Sequence, residues 1–169
     1  MAGPTVAIIM GSDSDWPAME NCYRQLAELG IECDVQVMSA HRTPDRVHDY
    51  ACTARERGLE VIIAAAGMSA ALAGVLASMT TLPVIGVPME SGPLNGIDAL
   101  LSTVQMPPGV PVATVGIGQA GARNAALLAA QILALRDARL AEALKNIRRK
   151  EAQAVDNRNQ ALRERLARG

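Results

Sequence analysis

The chain has no phenylalanine, and Trp16, Tyr23 and Tyr50 are the only aromatic residues among its 169. Half of the residues are hydrophobic, so any core must be built from Ala, Val, Ile, Leu and Met. The same scarcity argues against an electron-transfer flavin site, where aromatic rings sandwich the cofactor. Cysteine is also sparse: Cys22, Cys33 and Cys52 are odd in number, widely spaced and form no C-x-x-C pair. That usage implies neither zinc nor a disulfide framework, and it fits reduced thiols in a cytoplasm. The N-terminus lacks a basic segment followed by an apolar signal core. No uninterrupted apolar run reaches the roughly 20 residues that a membrane-spanning helix needs. With a formal net charge of -1, the chain has no global field for nucleic acid or an anionic membrane. Arg148, Arg149 and Lys150 are interleaved with Glu142, Glu151 and Asp156, the pattern of a solvated helix face.

What is present is an alternation of apolar runs and helical patterns, within a length expected to form one domain. Val6–Met10 reads as a first strand, followed by Met19, Cys22, Tyr23, Leu26 and Leu29 at helical spacing and Gly30 as a stop. Cys33–Met38 alternates polar and apolar residues, so it is expected at a sheet edge. Thr43 is expected to cap a second helix with Pro44 in its first turn, and Gly58 to end it. Val61–Ala66 is a third strand, followed by a small-residue loop and a helix to about Met79. Val84–Val87 is a fourth strand, and Leu94, Ile97, Leu100, Leu101 and Val104 form the stripe of a helix. Val112–Ile117 is a fifth strand, then a helix runs from about Ala120 to Leu135, then a charged helical tail.

This order predicts an α/β fold: a three-layer, doubly wound parallel sheet of order 2-1-3-4-5 with a C-terminal helical extension. Ligands of such sheets bind outside the carboxyl ends of the strands where the order reverses, here between strands one and three. The catalytic domain is expected over residues 1–136 and the tail over 137–169. Leu135, Leu140, Leu144 and Ile147, with Leu162 and Leu166 beyond, form an apolar stripe that must be buried on the body or on a neighbouring subunit. A neighbouring subunit, and hence an oligomer, is the expectation.

Three loops at the carboxyl end carry the residues suited to chemistry. After strand one, Gly11 permits a tight turn, Ser12 and Ser14 offer hydroxyls, and a helix start offers free N–H groups to an anion. Asp15 repels phosphate but suits a vicinal diol such as ribose; a plain helix cap is the competing structural role for Ser14 and Asp15. After strand two, Ser39 and Ala40 lead to His41, an imidazole able to carry a proton near neutral pH, beside Arg42, a bidentate phosphate donor. After strand three come Gly67, Met68, Ser69, Ala70, Ala71 and Leu72, small enough for a ring to lie against backbone or for a helix to pack closely. Glu90-Ser91-Gly92-Pro93 follows strand four at the same end. His48 lies within the second helix and is expected to face solvent, and Gly116-x-Gly118-x-x-Gly121 is expected to be a helix-start turn rather than a dinucleotide loop.

Ile8-Ile-Met-Gly-Ser-Asp-Ser-Asp-Trp16, Ser39-Ala-His-Arg-Thr-Pro-Asp45, Gly86-Val-Pro88, Val104-Gln-Met-Pro107 and Asn124-Ala-Ala-Leu-Leu-Ala-Ala-Gln-Ile-Leu133 together resemble the N5-carboxyaminoimidazole ribonucleotide mutases of de novo purine synthesis. The resemblance runs from about Val6 to Leu135 and implies a flavodoxin-like fold, an octamer with sites at subunit junctions, and no metal or organic cofactor. It implies an isomerase that moves a carboxylate from the exocyclic amine of a ribonucleotide to ring carbon 4 through transient CO2. It assigns Ser12, Ser14, Ser39 and Arg42 to the phosphate, Asp15 to the ribose, His41 to proton transfer, and the Gly67–Leu72 loop to the base and CO2. One segment departs: the mutase branch usually reads Gly-Gly-Ala-Ala-His-Leu-Pro-Gly where this chain has Gly67-Met-Ser-Ala-Ala-Leu-Ala-Gly74. A related branch that carboxylates the aminoimidazole directly with CO2 also lacks that histidine and has a serine-containing loop, but it typically carries Lys at the position of Arg42; the missing histidine also leaves open a nucleotide-binding paralogue without this activity.

Overall fold

A computed structural model describes residues 3–168. Five parallel strands stand in the order β2-β1-β3-β4-β5, as the apolar patterning predicts. They are β1 (Val6–Met10), β2 (Cys33–Val37), β3 (Val61–Gly67), β4 (Val84–Met89) and β5 (Ala113–Thr114). Alternate residues of the central strands point to opposite faces, and each face has its own aliphatic core. Val6, Ile8, Met10, Val61, Ile63 and Ala65 pack under helices α1 (Trp16–Glu28) and α5 (Gly118–Leu133). Ala7, Ile9, Ile62 and Ala64 pack under α2 (Pro44–Thr53) and α3 (Leu72–Met79).

β2 is half-buried and pairs only with β1, as its alternating pattern predicts for an edge. Its outer polar residue is used: the Tyr50 hydroxyl of α2 donates to Asp34 at 2.7 Å, and the Arg57 guanidinium lies 3.9 Å from the Tyr50 ring centroid. Thr43 does precede α2 with Pro44 in the first turn, but its hydroxyl makes no cap bond. It bonds the Ser39 backbone instead, accepting from N–H at 2.9 Å and donating to C=O at 3.1 Å.

Two elements differ from the sequence expectation. β5 spans Ala113–Thr114 instead of Val112–Ile117, because Pro111 brings no ladder donor and the chain turns at Gly116 into α5. β4 beyond Gly86 therefore has no partner on that side, which is where Pro88 is tolerated inside a strand. The apolar stripe after β4 does mark a helix, α4 (Ile97–Val104), yet Leu94, Ile97, Leu101 and Val104 face outward, each about half exposed. The inner face is Ala99 and Thr103, with Thr103 seated where a side chain at Gly86 would be.

The last helix, α6 (Ala138–Arg168), begins against the body: Leu140 is buried and Leu144 and Ile147 pack partly on the core. Leu135 is instead 88% exposed in the turn before it, and every residue from Arg148 to Arg168 is exposed, Leu162 and Leu166 included. So Leu140, Leu144 and Ile147 of the predicted stripe are covered by the chain's own body rather than by a neighbour, while Leu135, Leu162 and Leu166 are left exposed.

Gly116, Gly118 and Gly121 form the start of α5, with Gly118 at φ 68°. A Cβ at position 121 would overlap the Gly116 carbonyl oxygen, whereas one at 116 would have nothing nearer than 3.9 Å. Gly121→Ala is accordingly expected to cost at least about 2 kcal/mol through overpacking. Gly116→Ala should stay within about 1 kcal/mol of the parent. Urea denaturation of both variants reads the difference, and equal costs would refute the backbone-contact explanation.

Candidate active site

The register of the sheet brings the three predicted loops to one end. Met10 pairs with Val37 on one side and Ala65 on the other. Just past it, the Gly11 N–H donates to the Ala65 C=O and the Met38 N–H to the Met10 C=O, both at 2.9 Å. Beyond these bonds the loops diverge around a cavity of about 600 Å³. Gly11, Ser12, Ser14, Asp15, Ser39, Ala40, His41, Arg42, Gly67, Met68, Ser69, Ala70, Ala71 and Leu72 all line it, with Ala66 and Ser91. Every residue singled out in the sequence for substrate or proton transfer therefore opens onto one space. His48 does not; it is exposed on α2, as expected.

The loop after β1 is a 3-10 turn, Asp13–Asp15, running into α1. Ser12 caps the turn by accepting from the Ser14 N–H at 3.3 Å. The Ser14 hydroxyl donates to Ser12 Oγ at 2.8 Å, so the two hydroxyls stand together at a helix start. Across the switch point, the Arg42 guanidinium donates to the Gly11 C=O at 3.1 Å, and the Arg42 N–H donates to Ser39 Oγ at 3.2 Å. The cation is thus tied to the hydroxyl-bearing loop while remaining exposed. Two serine hydroxyls, a third on Ser39, a helix N-terminus and a guanidinium make a grip suited to a phosphate.

Asp15 separates from the capping role. It stands at the N-cap position of α1 but makes no side-chain cap bond, and it is only 8% exposed. Burial raises its carboxyl above the ordinary carboxylate range, against the opposing pull of the Ser12 backbone, and Asp13 nearby adds to the rise. His41 is exposed. Met68 holds a left-handed backbone (φ 54°) and is 57% exposed at the rim.

Ser91 is the residue the sequence reading left out of the set. Its Oγ is buried without a hydrogen-bond partner, and it fills the space over Gly67 that a Cβ there would occupy. An orphaned buried hydroxyl costs about 1–3 kcal/mol. Its place directly after a strand at the carboxyl end was the available signal. Among the described residues no three His, Cys, Asp or Glu side chains converge as a metal-ligand set would. The thiols lie outside the cavity, and burial pushes Cys33 up to about 11.

A family model described as AIR carboxylase matches residues 5–154. The chain belongs to that family. The N5-carboxyaminoimidazole ribonucleotide mutase of Pyrococcus abyssi is 58% identical over 86% of this chain and 82% of its own. The Bacillus subtilis enzyme of the same name is also 58% identical, over 90% of this chain and 94% of its own. Among solved structures, PurE of Treponema denticola superposes with a TM-score of 0.84 at 32% identity, covering 94% of this chain and 98% of that one. The flavodoxin-like architecture is therefore the family's.

A carboxyl whose folded pKa lies above its unfolded value binds its proton more tightly when folded. Its contribution to stability is full below the unfolded pKa and is lost as pH rises through the folded one. At neutral pH the Asp15 charge is thus a cost to the fold. Asp15→Asn is expected to melt at or above the parent at pH 8, with the difference shrinking as pH falls through the raised folded pKa toward the unfolded one. Thermal melts across that range test this, and a loss of several degrees at pH 8 would restore the capping role.

Proposed function

We propose that this protein is an N5-carboxyaminoimidazole ribonucleotide mutase of de novo purine synthesis. The observation that carries the reading is the convergence of His41, the Ser12–Ser14–Ser39–Arg42 grip and the Gly67–Leu72 loop on one cavity. Identities of 51–58% to enzymes of that name support it. The substrate phosphate sits in the grip, the ribose hydroxyls on the Asp15 carboxylate, and the imidazole ring against the small-residue loop.

One group then serves two proton transfers. Protonated His41 gives its proton to the carbamate nitrogen, the N–C bond breaks with its electron pair kept by nitrogen, and CO2 leaves. The amino-imidazole ring attacks CO2 through carbon 4. Neutral His41 takes the proton from carbon 4, the ring recovers its aromaticity, and the imidazolium is regenerated with no net change. Holding CO2 beside carbon 4 supplies a high effective concentration. Ala70 and Ala71 leave room for the ring but offer no side-chain donor.

The protein acts as a cytoplasmic homo-octamer in this reading, with the exposed part of α6 from Arg148 onward packing on a neighbouring subunit and the rim of the site completed by a second copy. The exposed α4 stripe and the exposed His41 and Met68 support an assembly. Light scattering of the native protein is expected to give eight times the chain mass, and a monomer would refute it.

Two assays on the pure protein test the reaction. N5-carboxyaminoimidazole ribonucleotide without bicarbonate is expected to convert; conversion only of aminoimidazole ribonucleotide with bicarbonate would move the chain to the direct carboxylases. His41→Asn is expected to lower kcat at least about 100-fold while nucleotide affinity stays within about threefold. Near-parental turnover by that variant would remove His41 from the chemistry.

A further inference from the structure

Strand spacing divides the cavity into two ends. β4 lies two strands from β1, hence roughly 10 Å away at about 4.8 Å per strand. The phosphate grip is built on the loops after β1 and β2, and its hydroxyls are already engaged: Ser14 with Ser12, and Ser39 with the Arg42 N–H. The far end is built on the loops after β3 and β4. There Ala70 and Ala71 have no polar side-chain atom, and Ser69 is exposed. The one buried side-chain hydroxyl at that end is Ser91, and it lacks a partner among the described residues.

Native proteins rarely leave a buried hydroxyl unsatisfied, and each one that remains calls for a specific reason such as a functional role. The backbone beside it leaves room for this placement: the Ser91 Oγ rests over Gly67, where any side chain would displace it. A hydroxyl offers one proton to an acceptor. The acceptor that the proposed reaction brings to this end is the carboxyl group in transit.

We propose that the Ser91 hydroxyl is a substrate-binding donor that orients the migrating carboxyl group at the β3–β4 end of the cavity. The inference rests on the proposed mutase reading, in which the base and CO2 occupy the Gly67–Leu72 loop. It assigns to Ser91 a preference for the carboxylated nucleotide over the bare one. A hydroxyl that merely fills space over Gly67 has no such preference.

Calorimetric titration of Ser91→Ala with two nucleotides decides between these roles. Affinity for aminoimidazole ribonucleotide, which has no carboxylate, is expected to stay within twofold of the parent. Affinity for its 4-carboxylated form is expected to fall at least tenfold, and turnover of the N5-carboxylated substrate by a similar factor. Ser91→Cys, close in shape but a weak donor, is expected to show the same split, and it covers a folding defect in the alanine variant. An unchanged ratio of the two affinities overturns the assignment of Ser91 alone. A parent protein that binds neither nucleotide overturns the mutase reading and this inference with it.

Discussion

The site depends on the parallel register of β1 with both its neighbours. Met10 stands opposite Val37 and Ala65, so β1 and β2 leave the sheet at one height and β3 two residues further on. A slip of one residue in either pairing would turn every side chain of that strand to the other face. The two cores resist it, because Val6, Ile8 and Met10 belong to one and Ala7 and Ile9 to the other. Core packing therefore fixes loop height, and loop height lets Arg42 reach the Gly11 carbonyl across the switch point. Positioning of a surface cation thus traces back to buried aliphatic side chains that never touch a ligand.

Around this frame the chain retains groups that burial alone disfavours. The Asp15 carboxylate is desolvated, the Ser91 hydroxyl is orphaned, and Met68 holds a left-handed backbone that a non-glycine residue rarely adopts. All three line one cavity. Local departures from good folding practice that cluster in this way mark places where stability is given up for function. The surrounding sheet supplies the compensation: β1 and most of β3 and β4 are buried at 6% exposure or less.

Much of this was legible in the sequence, for a physical reason. Continuous apolar runs identify central parallel strands, and the alternation in Cys33–Val37 identifies the edge, so strand order followed from pattern. Site residues followed from strand order, since one end of such a sheet collects every loop that can meet. What pattern could not supply was direction of packing. Leu94, Ile97, Leu101 and Val104 recur at helical spacing whichever way they face, and they face outward while Ala99 and Thr103 are buried, Thr103 in the space that Gly86 leaves open. Thr43 likewise looked like a cap from its position, yet its hydroxyl found the Ser39 backbone first. Ser91 went unselected because its one sequence signal, a place directly after a strand, does not distinguish an orphaned hydroxyl from a bonded one.

The outward stripe and the site are one problem. Ser91 and Leu94 are three residues apart on the loop between β4 and α4, and Ile97 opens the helix that follows. Gly92, Asn95 and Gly96 all hold positive φ, so this loop has few soft turns left once its ends are fixed. Its β4 end is fixed by the sheet. Its α4 end carries exposed apolar surface, which in water favours contact with another such surface. In the proposed octamer, covering that stripe would bury the apolar surface next to the loop that carries Ser91.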